Sequence, residues 1–141
     1  MLRAVLDANV LVSALIRPQG PPGQIVVRLV EERAFELITS PAILTEVRHS
    51  LAYPRVRKYL VASDEELDLW VASLELIADT VEGRLQINAV ADDPDDDKYI
   101  VAALEGRAQF VVSGDAHLLA LKVYESVPIV TPRRFLDVLK G

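Results

Sequence analysis

The 141-residue chain is 51% hydrophobic and 26% charged, enough apolar residues to bury a core and too many for a disordered segment. It has no cysteine, which excludes disulfides and thiolate metal sites, so any metal must be held by oxygen or by one of two histidines. A net charge of −6 excludes broad coating of nucleic acid by a basic surface, and only a local basic patch or a bound cation would reverse the sign.

The opening stretch "LRAVLDANVLVSALI" carries Asp7 and Asn9 in its middle and no small-residue cleavage site after it, which argues against a signal peptide. No segment approaches the roughly 20 apolar residues of a membrane span, so a soluble, cytoplasmic protein without membrane attachment is expected. "RAVL", residues 3 to 6, reads as a short strand that stops at Asp7. "RPQGPPG", residues 17 to 23, reads as a turn-rich loop, and too little chain precedes it to form a domain. Ile25, Leu29 and Val30 then recur at helical spacing before the strand-like "FELIT".

Ser40 and Pro41 are placed as N-cap and first position of a helix whose apolar stripe is Ile43, Leu44, Val47 and Leu51, with Pro54 as its stop. Leu67, Trp70, Val71 and Leu74 mark another helix. The stretch "ELIADTVEGRLQINAV" admits one strand or two, with "QINAV" carrying a strand-like pattern. Asp93 and Pro94 repeat the cap arrangement ahead of a helix that holds Ile100, Ala103 and Leu104 and stops at Gly106. "QFVVS" and "VPIV" complete the strands. Short apolar strands alternating with helices predict an α/β fold with a mainly parallel sheet, as one domain over residues 1–141.

The acids are distributed unevenly. "ADDPDDDKYI" places Asp92, Asp93, Asp95, Asp96 and Asp97 just before an apolar helix. A helix N-terminus accounts for two or three of them, each contributing about 0.3–1 kcal/mol against the macrodipole, but not for five. On a helix of about 100° per residue, Tyr99 and Ile100 flank Asp96 and Ala103 lies nearly above it, whereas Asp97 turns toward Val101 and Leu104. Asp96 therefore shares the buried face, where a carboxylate needs a partner or a metal. Asp7 ends the first strand, and Asp115 in "FVVSGDAHLL" follows another; in open α/β sheets ligands bind beyond the carboxyl ends of strands. Glu46 lies within about 60° of Ile43, bordering its helix's apolar face. Taken singly, Asp7 and Asp115 read as N-caps and Glu46 as solvated. If all four converge, their repulsion demands protons or cations, and an all-oxygen ligand set suits Mg²⁺ or Mn²⁺.

"AVLDANVLVSALI", Glu46 in "SPAILTEV", "DPDDDKYIVAA" and "FVVSGDAHLLAL" resemble the PIN-domain family in order and spacing, and "VPIVTPRRFLDVL" resembles the tail of its toxin–antitoxin members. The resemblance covers nearly the whole chain. It implies a doubly wound α/β fold and a metal-dependent endoribonuclease, as in VapC-like toxins, with metal-activated water attacking RNA phosphodiesters. It carries Asp7, Asp96 and Asp115 over as metal ligands and Glu46 as the acid completing the catalytic pocket. Asn9 and Ser113 match polar positions beside the acids, Asp93 adds charge nearby, and Asp97 stands where relatives often have Asn. The resemblance also implies an antitoxin partner, and family members often dimerise; apolar residues from Leu60 to Leu76 offer a surface.

From the residues themselves, Lys98 either contacts phosphate or neutralises Asp95 and Asp97. Arg55, Arg57 and Lys58, with Tyr53 and Tyr59, form a possible RNA contact or a solvated basic cluster. Arg133 and Arg134 admit the same two readings. His49 and His117, on helical segments, are poor candidates for a general base. Two other readings compete: a noncatalytic module that keeps the fold, and a haloacid-dehalogenase-like phosphohydrolase, which would need an acid where Asn9 stands. A response-regulator receiver lacks its phosphoacceptor aspartate in "FELITSPAIL".

Overall fold

The computed structural model describes residues 1–141. Its strands are β1 (Arg3–Leu6), β2 (Glu36–Thr39), β3 (Asp79–Thr80), β4 (Phe110–Val112), β5 (Val123–Tyr124) and β6 (Val127–Val130). They form one six-stranded sheet in the order β3-β2-β1-β4-β6-β5. All pairings are parallel except that of the edge strand β5 with β6. The chain builds outward from β1 to β2 and β3, then returns to place β4 on the other side of β1. The reversal lies between β1 and β4, where a doubly wound sheet opens a crevice beyond its strand ends.

Eight helices connect and flank these strands: α1 (Ala8–Ile16), α2 (Pro21–Glu32), α3 (Pro41–Ala52), α4 (Pro54–Arg57), α5 (Asp64–Ile77), α6 (Asp97–Glu105), α7 (Ala116–Ala120) and α8 (Pro132–Lys140). Their starts follow local chemistry. Asp7, Ser40, Ser63, Asp115 and Thr131 each accept a backbone N–H from the first turn of the helix that follows. Ser63 and Glu66 form a reciprocal capping box at α5. The central strands β1, β2 and β4 are buried beyond their first residue, as expected of strands covered by helices. At the amino-terminal end of the sheet, Phe135 meets Phe35 and Phe110 edge-on with centroids 5.1 and 5.8 Å apart, each contact adding about 0.5–1.5 kcal/mol to the burial itself.

Three local expectations are corrected. "QINAV" forms no strand: β3 is only Asp79–Thr80, and residues 81–90 run as an irregular strap. Side chains of α6 pair the strap's amides in place of a neighbouring strand. Glu105 accepts the N–H groups of Gly83 and Leu85 at 2.9 and 2.8 Å, and Asp97 accepts those of Ala89 and Val90 at 3.2 and 2.7 Å. The loop at 17–23 ends early, because Pro21 opens α2 and supplies the fixed φ that a first helical position favours. Gly23 is required there, since a Cβ would lie 2.0 Å from the Pro18 carbonyl oxygen. Asp93 makes no side-chain capping bond, and Pro94–Asp96 form a 3₁₀ turn ahead of α6. Gly106 does end α6, though not by a left-handed turn: its φ is −89° and Arg107 takes the positive φ of 53°. Glycine is needed at 106 because a Cβ would lie 2.4 Å from the Ile38 side chain.

Candidate acidic site at the carboxyl ends of β1 and β4

Parallel pairing of Leu6 with Val112 brings Asp7 and Ser113 side by side beyond the central strands, and the ladder continues as the Asp7 N–H donates to the Val112 carbonyl at 3.1 Å. Asp7 is 2% exposed and Ser113 fully buried. One Asp7 oxygen accepts the Val10 N–H at 2.8 Å, and the other accepts the Ser113 hydroxyl. Ser113 Oγ in turn accepts the Asp115 N–H at 2.9 Å. Ser113 thus ties the two strand-end acids together. Asp115 Oδ1 caps α7 through His117 and Leu118 at 2.8 and 3.2 Å, so the N-cap reading of Asp7 and Asp115 is correct as far as it goes. Capping leaves the second Asp115 oxygen free of protein donors, whereas the second Asp7 oxygen takes the Ser113 hydroxyl and keeps only its remaining lone pairs for a further partner.

Two helices supply the other acids. Glu46 of α3 is not solvated: one oxygen accepts Lys98 Nζ at 2.5 Å and the other accepts the Tyr99 hydroxyl. Tyr99 is 2% exposed, and its oxygen accepts the Ala8 N–H at 3.2 Å, linking Glu46 to the start of α1. Asp96, the last residue of the 3₁₀ turn and the position just before α6, differs from the rest. Its Oδ2 is buried without a hydrogen-bond partner. Such a group pays for desolvation with nothing in return, so an orphan of this kind calls for a ligand, a proton or an ion.

The acids feel one another. Burial, followed by the charges of Asp115 and Glu46, raises the Asp7 carboxyl to about 6, against the opposing bonds from Ser113 and Val10. Burial, then the charges of Asp93, Asp115 and Glu46, raises Asp96 to about 7, with Lys98 opposing. Burial and the bond to Glu46 raise the Tyr99 hydroxyl far above its usual range, so it is a permanent donor. These couplings place Asp7, Glu46, Asp96 and Asp115 in one electrostatic neighbourhood. As the side chains stand, no three acids or histidines converge closely enough to hold one ion, so metal binding requires side-chain rotation. Asp96 makes no side-chain hydrogen bond that would resist it. The donor chemistry, oxygen throughout with an orphaned carboxylate oxygen, fits a hard divalent cation.

The remaining expected residues separate. Asn9 is exposed and makes no side-chain hydrogen bond, unlike Ser113. Asp97 is engaged with the strap, and Asp93 contributes charge toward Asp96 and accepts its N–H through the backbone carbonyl at 3.0 Å, but makes no side-chain capping bond. Lys98 neutralises Asp95 at 3.0 Å as anticipated, but its second partner is Glu46 rather than Asp97. Arg57 is committed to Asp64 at 3.1 Å and to the Ala62 carbonyl at 2.9 Å. Arg55 and Lys58 are exposed, and Lys58 sits 5.1 Å from the Tyr59 ring centre. His49 and His117 are exposed and outside the acid network. Sequence reasoning missed Tyr99, whose helical alignment with Asp96 was the available signal. It also missed the cavity of about 310 Å³ between strap and helices, which Ser40, Leu85, Ile87 and Lys98 help to line.

No helix is long and apolar enough to cross a membrane. The family model described as "PIN domain" matches residues 3–117. An uncharacterised protein, MJ1680 of Methanocaldococcus jannaschii, is 32% identical over 146 aligned positions, covering 96% of this chain and 90% of that protein. Among solved structures, PAE2754 from Pyrobaculum aerophilum superposes with a TM-score of 0.63 at 13% identity, over 99% of this chain and 90% of its own. VapBC2 from Rickettsia felis, bound to a DNA fragment from their promoter, gives 0.59 at 11% identity over 92% of this chain and 98% of its own. The two structures speak to the fold. The match over residues 3–117, together with a relative 32% identical along nearly the whole chain, places this protein in the PIN-domain family.

Proposed function

We propose that this PIN-domain protein is a Mg²⁺- or Mn²⁺-dependent endoribonuclease, the toxin component of a toxin–antitoxin pair acting in the cytoplasm. The observation that carries the reading is the orphaned Asp96 carboxylate, which feels the charges of Asp115 and Glu46, the same two acids that act on Asp7 at the reversal point of the sheet. Asp7, Asp96 and Asp115 would hold the ion. When bound, it supplies a Lewis acid for a phosphate oxygen and an activated water for in-line attack. Ser113 fixes the rotamer of Asp7, and Tyr99 anchors Glu46 to the start of α1. The ion also solves the charge problem of RNA binding, because the positive potential comes from the site while the net charge of the chain stays at −6.

Nuclease activity is general among PIN domains, and the VapBC2 neighbour is a toxin–antitoxin complex; by analogy a protein antitoxin would cover the groove here. The dimer surface is assigned to α5, which leaves Leu69 and Leu76 exposed. A noncatalytic PIN-fold module is the second reading, favoured by the commitment of both Glu46 oxygens to protein donors. The deciding experiment is cleavage of a mixed single-stranded RNA pool by purified protein with Mn²⁺ or Mg²⁺, against EDTA and against Asp7→Asn. Metal-dependent cutting that vanishes in the variant supports the nuclease. Failure of a metal titration to detect any bound ion sinks it in favour of the module.

A further inference from the structure

We infer that Lys98 serves as the site's own second cation, holding Glu46 out of metal coordination so that the groove takes a single divalent ion on the side of Asp7, Asp96 and Asp115. This rests on the metal-dependent reading above and deepens it by fixing the stoichiometry.

Lys98 is not an ordinary surface lysine. Its side chain is only 13% exposed, and an ammonium withdrawn from water needs all three protons satisfied. They are: Nζ lies 2.5 Å from Glu46 Oε1, 3.0 Å from Asp95 Oδ2 and 3.0 Å from the Asp95 carbonyl oxygen. The bond to Glu46 joins α6 to α3 across 52 positions of sequence, so it is a tertiary contact rather than a helix-surface pair. Glu46 is fixed from the other side by Tyr99, itself anchored on the Ala8 N–H. Both Glu46 oxygens are therefore held by protein donors.

Asp96 and Asp115 differ from Glu46 in having an oxygen free of protein donors, and Asp7 differs in that its two donors, the Val10 N–H and the Ser113 hydroxyl, are neutral rather than an ammonium. Asp96 has a buried oxygen with no partner, and Asp115 uses only Oδ1 for capping. Free carboxylate oxygens lie on Asp96 and Asp115, Asp7 is held only by neutral donors, and the fixed positive charge lies on the Glu46 side. In two-metal nucleases a pair of ions about 3.5–4 Å apart clamps the attacking and leaving oxygens. Here a second divalent ion at Glu46 would have to displace an ammonium already satisfied there, and would be repelled by it if both stayed.

The test is a Mn²⁺ binding isotherm, read from the loss of the free-ion paramagnetic resonance signal, on the intact protein and on Lys98→Met, Lys98→Arg and Glu46→Gln, each checked by thermal unfolding. The expected result is one ion per chain for the unaltered protein, for Lys98→Arg and for Glu46→Gln, and two ions for Lys98→Met. Two ions in the unaltered protein would overturn the inference while leaving the metal-dependent reading intact, whereas none would remove both. Lys98→Met remaining at one ion, or Glu46→Gln losing the ion altogether, would also overturn it. If Lys98→Met does not fold, the Glu46→Gln titration still decides whether Glu46 is a ligand.

Discussion

The two ends of β1 treat charge in opposite ways. At its amino-terminal end Arg3 pairs with Glu36 at 2.7 Å and Asp79 at 2.6 Å, and donates to the Gly106 carbonyl at 2.9 Å. One cation there stitches β1 to β2, β3 and the end of α6. Four residues later, just beyond the other end of the strand, Asp7 feels the charges of Glu46 and Asp115, and Asp96 feels the same two acids. Lys98 is the cation nearby, and it is already spent on Glu46 and Asp95. The first arrangement is what stability alone favours, whereas the second opposes folding. Locally unfavourable electrostatics in an otherwise consistent fold is the signature expected of a functional site, which is why the proposed function is placed at this end.

The largest effect that can break this comparison belongs to Asp7→Asn. It is expected to lower RNA cleavage by more than about 10²-fold, as loss of one electrostatic contact to the transition state commonly does, while raising the melting temperature at pH 7 by a few degrees. An inactive variant that is also less stable would place Asp7 among the stabilising charges of the other end.

The pH dependence follows from the same residue. Burial raises the Asp7 carboxyl to about 6 from an ordinary 3.8, so between these pH values the native state binds more protons than the unfolded state. Stability therefore falls as pH rises through this window, the reverse of a salt-bridged aspartate. The full penalty, about 3 kcal/mol at most, is present above pH ~6 and absent below pH ~4. The stability difference between the native protein and Asp7→Asn should therefore shrink on acidification from pH 7 to pH 4, as measured by denaturant unfolding. A constant difference would mean that burial does not govern this carboxyl.

Asp97→Ala tests a carboxylate one position from Asp96 but assigned to structure. It leaves the amides of Ala89 and Val90 without their partner and should cost about 1–3 kcal/mol, with metal affinity unchanged. Arg3→Met, at the opposite end, should cost about 1–2 kcal/mol and leave specific activity unaltered. The smallest effect is expected from Asp95→Asn. Its side chain is 80% exposed, so the change should stay within about 1 kcal/mol in stability, and cleavage should remain well above that of Asp96→Asn. Equal loss of activity at 95 and 96 would reverse the assignment of Asp96 as the inward acid.

Much of this was legible in the residues. Apolar runs of strand length end at Asp7 and Ser113, a polar cap precedes Pro41, and helical angles bring Asp96 onto the face of Tyr99 and Ile100; each signal is local, spanning a few bonds or one helical turn. Local chemistry also made Asp7 and Asp115 N-caps, which is true of their backbones and silent on their remaining oxygens. Only the tertiary structure decided what each carboxylate faces. Asp96 and Asp97 are chemically identical neighbours, yet one is orphaned beside the strand ends and the other clamps a strap whose pattern read as a strand. Glu46 looked solvated until packing of α6 against α3 brought Lys98 and Tyr99 to it from more than 50 positions away. Short-range periodicity fixes which face a side chain points from, whereas its partner, its burial and hence its charge state depend on segments that meet only when the sheet has closed around β1.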